Sequence, residues 1–128
     1  MKLKLTQLAV LIIVVGFFFA CSTSNDPKDI VRNMYSSIEK NDVEGVKAFA
    51  SKSLLGMLPD EKLKKGIEKS SKEIAKKQGI KEIKFTDEKV EEEKIDYKIT
   101  IVYNDGSEKN DKIRLVKEDG AWKAAASK

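Results

Sequence analysis

The sequence predicts an α+β domain, with helices first and a curled antiparallel sheet of about four strands after them. Three observations predict it. Apolar residues recur at helical spacing between Asp26 and Gln78, and they alternate strictly from Ile95 to Tyr103. Two turn sequences, Asn104-Asp105-Gly106-Ser107 and Asp119-Gly120, divide the remainder into strands. Helices followed by strands, rather than interleaved with them, place the helices on one face of the sheet. A length of 128 residues admits one such domain plus a targeting segment.

The elements follow in order. Asp26-Pro27 reads as a helix start, with a carboxylate at the N-cap and proline at the first helical position. Ile30, Val31, Met34, Tyr35 and Ile38 form its buried stripe. Asn41-Asp42 stops that helix and caps a second, whose inner face is Val43, Val46, Phe49 and Ala50. Residues 53–58 (SLLGML) are a short apolar segment closed by Pro59. Asp60 is expected to cap a third helix running to about Gln78, with Leu63, Ile67, Ile74 and Ala75 inward and Gly79 as its C-cap. Glu61/Lys65, Glu68/Lys72 and Glu73/Lys77 are spaced for ion pairs worth about 0.3 kcal/mol each.

From residue 80 the period changes to two. Ile83 and Phe85 open the first strand and Val90 continues it; Thr86 to Lys94 is expected to hold that strand's end and a turn. Ile95, Tyr97, Ile99, Ile101 and Tyr103 then face inward, against Asp96, Lys98, Thr100 and Val102. Ile113 and Leu115 mark the next strand, and Trp122, Ala124 and Ala126 the last.

The N-terminus has a different composition. Lys2 and Lys4 precede an uncharged run from Leu8 to Phe19, followed by Ala20, Cys21 and the polar residues Ser22 to Asn25. This is the n-region, h-region and small-residue cut site of a secretory signal, and the run is short for a membrane span. Phe18-Phe19-Ala20-Cys21 resembles the lipobox of bacterial lipoproteins, with Phe18 where leucine is usual. The resemblance implies a signal peptide over 1–20, cleavage between Ala20 and Cys21, and a lipidated tether over 21–25. It also implies diacylglycerol and acyl chains such as palmitate on Cys21, as covalent lipid rather than a cofactor. The alternative is an uncleaved anchor with an incidental cysteine. Ser22, with no aspartate after the cysteine, implies the outer membrane if the organism has two.

Composition narrows the function classes. The hydrophobic share of 41% and aromatic share of 7% exclude wholesale disorder. With no histidine and one cysteine, an internal disulfide, a His-based triad and the usual Cys/His zinc sites are excluded. The formal charge of +4 includes the two leader lysines, so the mature domain is only +2, which gives no case for nucleic acid. That balance hides a division: residues 60–81 carry eight basic and four acidic side chains, residues 82–119 eight basic and twelve acidic. The lysine-rich helix suits anionic head groups or an acidic partner, or is a solvated face supported by its own glutamates.

Three stretches of the domain, 26–128, carry a wider resemblance. Asp26-Pro27 leads to Val31, Tyr35 and Ile38 and then to Asn41-Asp42-Val43-Glu44-Gly45-Val46; a hairpin follows at Tyr103-Asn104-Asp105-Gly106; and Leu115 to Lys123 (LVKEDGAWK) is the most specific. The layout resembles the nuclear transport factor 2-like superfamily, a cystatin-like cone of helices wrapped by a sheet. More narrowly it resembles small bacterial lipoproteins of unassigned function, sometimes labelled lumazine-binding-like. These motifs are structural, so they imply a fold and no activity.

Within such a cone Tyr97, Ile99, Ile101, Tyr103, Ile113, Leu115 and Trp122 are expected to face Met34, Tyr35, Phe49, Leu55 and Leu58. Tyr35, Phe49, Tyr97, Ile99, Ile101, Tyr103, Leu115 and Trp122 then line either an apolar pocket with tyrosine hydroxyls as handles, or an ordinary filled core. Alternation turns most strand carboxylates outward, and no catalytic or metal-binding residue is expected. Glu91-Glu92-Glu93 lacks calcium-loop spacing and reads as a solvated turn. The outer sheet face, with Asp96, Lys98, Thr100, Lys112, Arg114 and Lys123, is expected to be solvated and the protein a monomer or weak dimer. The expectation is therefore a lipid-anchored, extracytoplasmic module without enzymatic activity. Its candidate partners are the membrane and an envelope protein, or alternatively a small aromatic or amphipathic ligand.

Overall fold

The second strand, Lys94–Tyr103, is where the fold is built, because it is hydrogen-bonded on both edges and buries every second side chain. The computed structural model describes residues 26–126; the signal segment, Cys21 and the tether lie outside the described residues. Among the described residues four helices precede the sheet: α1 (Pro27–Glu39), α2 (Val43–Phe49), α3 (Lys52–Met57) and α4 (Asp60–Lys76). The sheet is an antiparallel meander, β1 (Ile80–Glu91), β2 (Lys94–Tyr103), β3 (Glu108–Glu118) and β4 (Ala121–Ala125), in the order β1-β2-β3-β4. This is the expected α+β cone.

Side-chain caps set the helix starts. Asp26 accepts from the Lys28 amide at 2.9 Å, Asp42 from the Gly45 amide at 3.0 Å and Ser51 from the Leu54 amide at 3.0 Å, each satisfying a donor with no intrahelical partner. The expected Asp60 cap is corrected: Pro59, in extended conformation, occupies the N-cap without a side-chain bond, and Asp60 joins the first turn. Its carboxylate is drawn instead to Lys47 and Lys64. Of the three spaced pairs on α4, Glu68–Lys72 closes, at 3.0 Å. At the other end Gln78 and Gly79 both take positive φ, and the Gly79 amide donates to the Ile74 carbonyl at 2.9 Å. A Cβ on Gly79 would lie 2.9 Å from Glu39 Oε1, so glycine is required by space as well as by its φ of +93°.

As expected, residues 86–94 hold the end of β1 and a turn: the strand runs to Glu91, and Glu92 and Glu93 make the turn. The pairs Glu88↔Tyr97, Lys89↔Asp96 and Val90↔Ile95 hold residues whose composition also suits a helix. Register shifts between Ile80 and Glu82 and between Phe85 and Asp87 bend this edge strand. Val90, opposite Ile95 near the end of this strand, is 60% exposed.

The core joins Ile95, Tyr97, Ile99, Ile101 and Tyr103 of β2 to Ile113 and Leu115 of β3, Ala124 of β4, Val31 of α1 and Ile74 of α4. All of these lie between residues 31 and 124, so the packing is self-contained within the described residues. Three residues expected inward are not: Ala75 and Leu58 are exposed, and Ala126 lies beyond β4 and is exposed. Leu58 ends the short α3, where the chain must turn away from the sheet toward Pro59. The outer sheet face is less solvated than expected. Thr100 is buried and donates to Asn110 Oδ1 at 2.8 Å, and Arg114 grips Asp96 with two bonds of 2.7 and 3.2 Å.

Leu115 has no exposed surface and belongs to the core cluster. Leu115→Ala should lower unfolding free energy by about 2–5 kcal/mol. Val90→Ser, at an exposed position, should change it by less than about 0.5 kcal/mol. Urea denaturation of the two variants beside the parent protein measures both.

Candidate functional site at the mouth of the cone

The eight residues expected to line a pocket do not share one environment. Ile99, Leu115, Tyr97, Ile101 and Tyr103 pack together as core, and Phe85 meets the Tyr97 ring edge-on at 5.0 Å. Tyr35 and Trp122 are half-buried at the margin of that cluster, with Lys117 Nζ 5.6 Å above the Trp122 ring. Phe49, half-buried at the end of α2, stands outside the cluster. The space between helices and sheet is thus closed along most of its length.

It opens at one end. Tyr35 follows the buried Val31 by one helical turn, so α1 aims it along the same face. Asp111 pairs with Ile99 in the β2–β3 register and therefore shares its inward face. The Tyr35 hydroxyl donates to Asp111 Oδ2 at 2.9 Å. Around this pair lies a hollow of about 190 Å³, with Ile38, Ile74 and Ile101 among its apolar lining and Ser70, Glu73, Tyr103 and Lys109 among its polar groups. Sites for drug-sized ligands run from roughly 300 to 1,000 Å³, so this mouth fits a fragment of a ligand or a single projecting side chain.

Sequence reasoning missed Asp111, Lys109, Ser70 and Glu73. The signal for two of them was present: the alternation marked by Ile113 and Leu115, continued backward by two and four residues, turns Asp111 and Lys109 inward. Ser70 and Glu73 flank Ile74 on α4, and only the packing of α4 brings them to the mouth.

The mouth holds its phenols protonated. Burial, then the Asp111 charge and its hydrogen bond, push the Tyr35 hydroxyl far above its ordinary value. Burial, then the charges of Glu73, Asp111 and Asp105, push Tyr103 up as well. Tyr97, deeper in the core, is raised by burial and by Glu88. Lys77 Nζ sits 4.5 Å from the Tyr103 ring centroid, a cation–π contact at the edge of the sheet. Neutral phenols donate hydrogen bonds and do not act as bases, and Tyr35 already spends its proton on Asp111. The arrangement suits recognition of a small polar or cationic group.

A second concave surface lies outside the cone. Leu55, Met57, Leu58, Pro59 and Leu63, with Lys47 and Asp60, border an open apolar groove of about 440 Å³ where α3 meets α4. At the β1–β2 turn Glu92 and Glu93 are exposed, while Glu91 pairs with Lys94 at 3.2 Å.

The model of a family described as a domain of unknown function (DUF4878) matches residues 20–125. The chain belongs to this family. A search of curated proteins finds no match. Among solved structures, this DUF4878 domain is similar to a candidate NTF2-like transpeptidase from Campylobacter jejuni. The TM-score is 0.70 at 14% identity, over 80% of this chain and 99% of that one. It is also similar to a de novo designed protein with a curved β-sheet, with a TM-score of 0.51 at 17% identity, over 77% of this chain and 93% of that one. At these identities the likeness is one of fold: the DUF4878 domain has the nuclear transport factor 2-like architecture, and its mouth must be read from its own residues.

All three tyrosines of the DUF4878 domain are shifted upward, so folded protein should show little tyrosinate absorbance near 295 nm at pH 10, where unfolded tyrosine is about half ionised. The sign of the linked stability follows. A group whose folded value is raised contributes fully below about pH 10, and the contribution is lost as pH rises through the folded value. Tyr35→Phe should cost about 1 kcal/mol at neutral pH through the lost hydrogen bond, and should make stability above pH 10 fall less steeply. Spectrophotometric titration and denaturation at several pH values check this; a tyrosine titrating normally in the folded state contradicts it.

Proposed function

We propose that this DUF4878 protein is a lipoprotein anchored through Cys21, whose domain is a non-catalytic binding module at the cell envelope. The observation that carries the binding-module reading is the filled interior. Val31, Ile99 and Leu115 are at most 1% exposed, while Met57 and Leu58 of the outer groove are 67% and 37% exposed. A domain that fills its cavity and exposes apolar residues elsewhere binds through its surface. The alternative, a carrier of a small aromatic or amphipathic ligand, needs interior volume that the packed β2 side chains occupy; the small polar mouth favours it.

Support for anchoring comes from the sequence. Lys2, Lys4, the apolar run to Phe19 and Ala20-Cys21 form a lipoprotein signal, and the family match starts at residue 20, beside the cysteine. Among the described residues no helix is long and apolar enough to cross a membrane. The transpeptidase designation of the Campylobacter protein does not transfer, because the likeness reaches the fold alone.

The test is Cys21→Ser in the native host with labelled palmitate. The variant should lose the label and remain as unprocessed precursor, whereas normal processing and anchoring would sink the lipoprotein reading. Native mass spectrometry of the unsubstituted protein reads the binding mode: a bare domain mass supports surface binding, and a stoichiometric small molecule retained by the domain replaces it with the carrier.

A further inference from the structure

The outward face of α4 carries a feature that packing does not require. Lys62, Lys65, Lys69, Lys72 and Lys76 are separated by three, four, three and four residues, so all five lie on one stripe, and all are exposed. From Lys62 to Lys76 the stripe runs about 21 Å at 1.5 Å per residue. Among the described residues Lys62, Lys65, Lys69 and Lys76 have no ion-pair partner, and only Lys72 is paired, to Glu68. Glu61 and Glu68 flank the stripe, and α4 as a whole carries six lysines against four carboxylates. Inward-facing Ile67 and Ile74 supply the helix's packing, so the fold leaves the charge of the outer face unconstrained.

The apolar groove adjoins the N-terminal end of this helix, with Met57 and Leu58 exposed beside Pro59 and Leu63. A straight row of ammonium groups, four of the five without an ion-pair partner among the described residues, with exposed apolar side chains at one end matches a plane of phosphates over hydrocarbon. The lysines meet head groups, and Met57 and Leu58 enter the apolar boundary. Nearness to such a plane comes from the tether. Five residue steps separate Cys21 from Asp26, at most about 17 Å fully extended at ~3.4 Å per residue, so an anchored domain stays at the bilayer surface. There even weak contacts act at high effective concentration.

We propose that the lysine stripe of α4 and the Met57–Leu58 tip form a docking face for an anionic lipid surface, holding the domain against the membrane with the rest of its surface turned outward. The nearness argument rests on the anchoring reading; the face itself does not. The test therefore uses a fragment beginning at Ser22, which retains the self-contained core and has no cysteine to acylate. Sedimentation is measured with phosphatidylcholine vesicles and with vesicles containing about one-third phosphatidylglycerol, at millimolar lipid. The fragment should pellet with the anionic vesicles, less so as salt rises. A variant carrying Lys62→Gln, Lys65→Gln, Lys69→Gln and Lys76→Gln should bind more than about ten-fold more weakly. Met57→Ser with Leu58→Ser should weaken binding by a factor that salt leaves unchanged. Circular dichroism confirms that each variant is folded.

Equal pelleting with neutral vesicles, no pelleting with either, or an unaffected lysine variant would overturn the proposal. So would binding to polyglutamate with no binding to anionic vesicles, which would assign the stripe to an acidic protein. Since the fragment lacks Cys21, these outcomes are independent of the Cys21→Ser result.

Discussion

Everything in this domain rests on one row of five side chains. Ile95, Tyr97, Ile99, Ile101 and Tyr103 are all at most 5% exposed and project from one face of β2, the strand bonded to β1 on one edge and β3 on the other. The row meets helices through Val31 of α1 and Ile74 of α4. Burying each large apolar side chain contributes about 1.5–3 kcal/mol, against an ordering cost of about 1–2 kcal/mol for each backbone residue. A one-residue slip of β2 would turn the row to solvent and bring Asp96 and Lys98 inward, so the same row that stabilises the fold also fixes its register.

The closed interior and the polar mouth are two ends of one gradient along β3. Its inward residues run from Leu115 and Ile113, opposite Ile95 and Tyr97, to Asp111 and Lys109, opposite Ile99 and Ile101. Where the strand presents leucine and isoleucine, α1 closes down through Val31. Where it presents aspartate, at an exposed position, the Tyr35 hydroxyl of α1 donates to it at 2.9 Å. The dyad is thus the polar continuation of the core. Tyr35 packs its ring against the cluster and turns its oxygen to the mouth, as an amphipathic side chain at such a boundary does.

How much of this was legible in the sequence depends on what each segment owes to its neighbours. The β2 row, the Asp26 and Asp42 caps and the turns at Asn104 and Asp119 are local signals, and each stands where the sequence places it. The far half of β1 was legible as a strand end before a turn but not in its length, because residues 87–91 form a strand through pairing with β2 and bury almost nothing. Asp60 misled because proline one residue earlier sets the helix start by its backbone geometry alone. The mouth was half legible. Asp111 and Lys109 follow from parity on β3, but a polar residue at an inward position looks like the end of a pattern. Bringing Glu73 and Ser70 opposite them depends on how α4 crosses the sheet, which no local sequence reports.

Charge on the two faces of the molecule obeys different rules. On the sheet, several acids are met by bases on the same or a neighbouring strand: Asp96 by Arg114, Asp87 by Lys98, Glu82 by Lys84. The Arg114 bond holds the Asp96 carboxyl below the usual carboxylate range, so this pair stays ionised through the physiological range. On α4 the favourable i,i+4 order offers the same local solution four times, Asp60–Lys64 and Glu68–Lys72 close, and four stripe lysines stay without an ionic partner among the described residues. Exposed lysines cost little to leave unpaired, so stability neither demands nor forbids the row. A helix needing only solubility could mix signs freely on that face. Five lysines at three-four spacing beside an exposed apolar tip are a feature that the fold does not impose, and the docking face proposed for α4 is a role that would account for it.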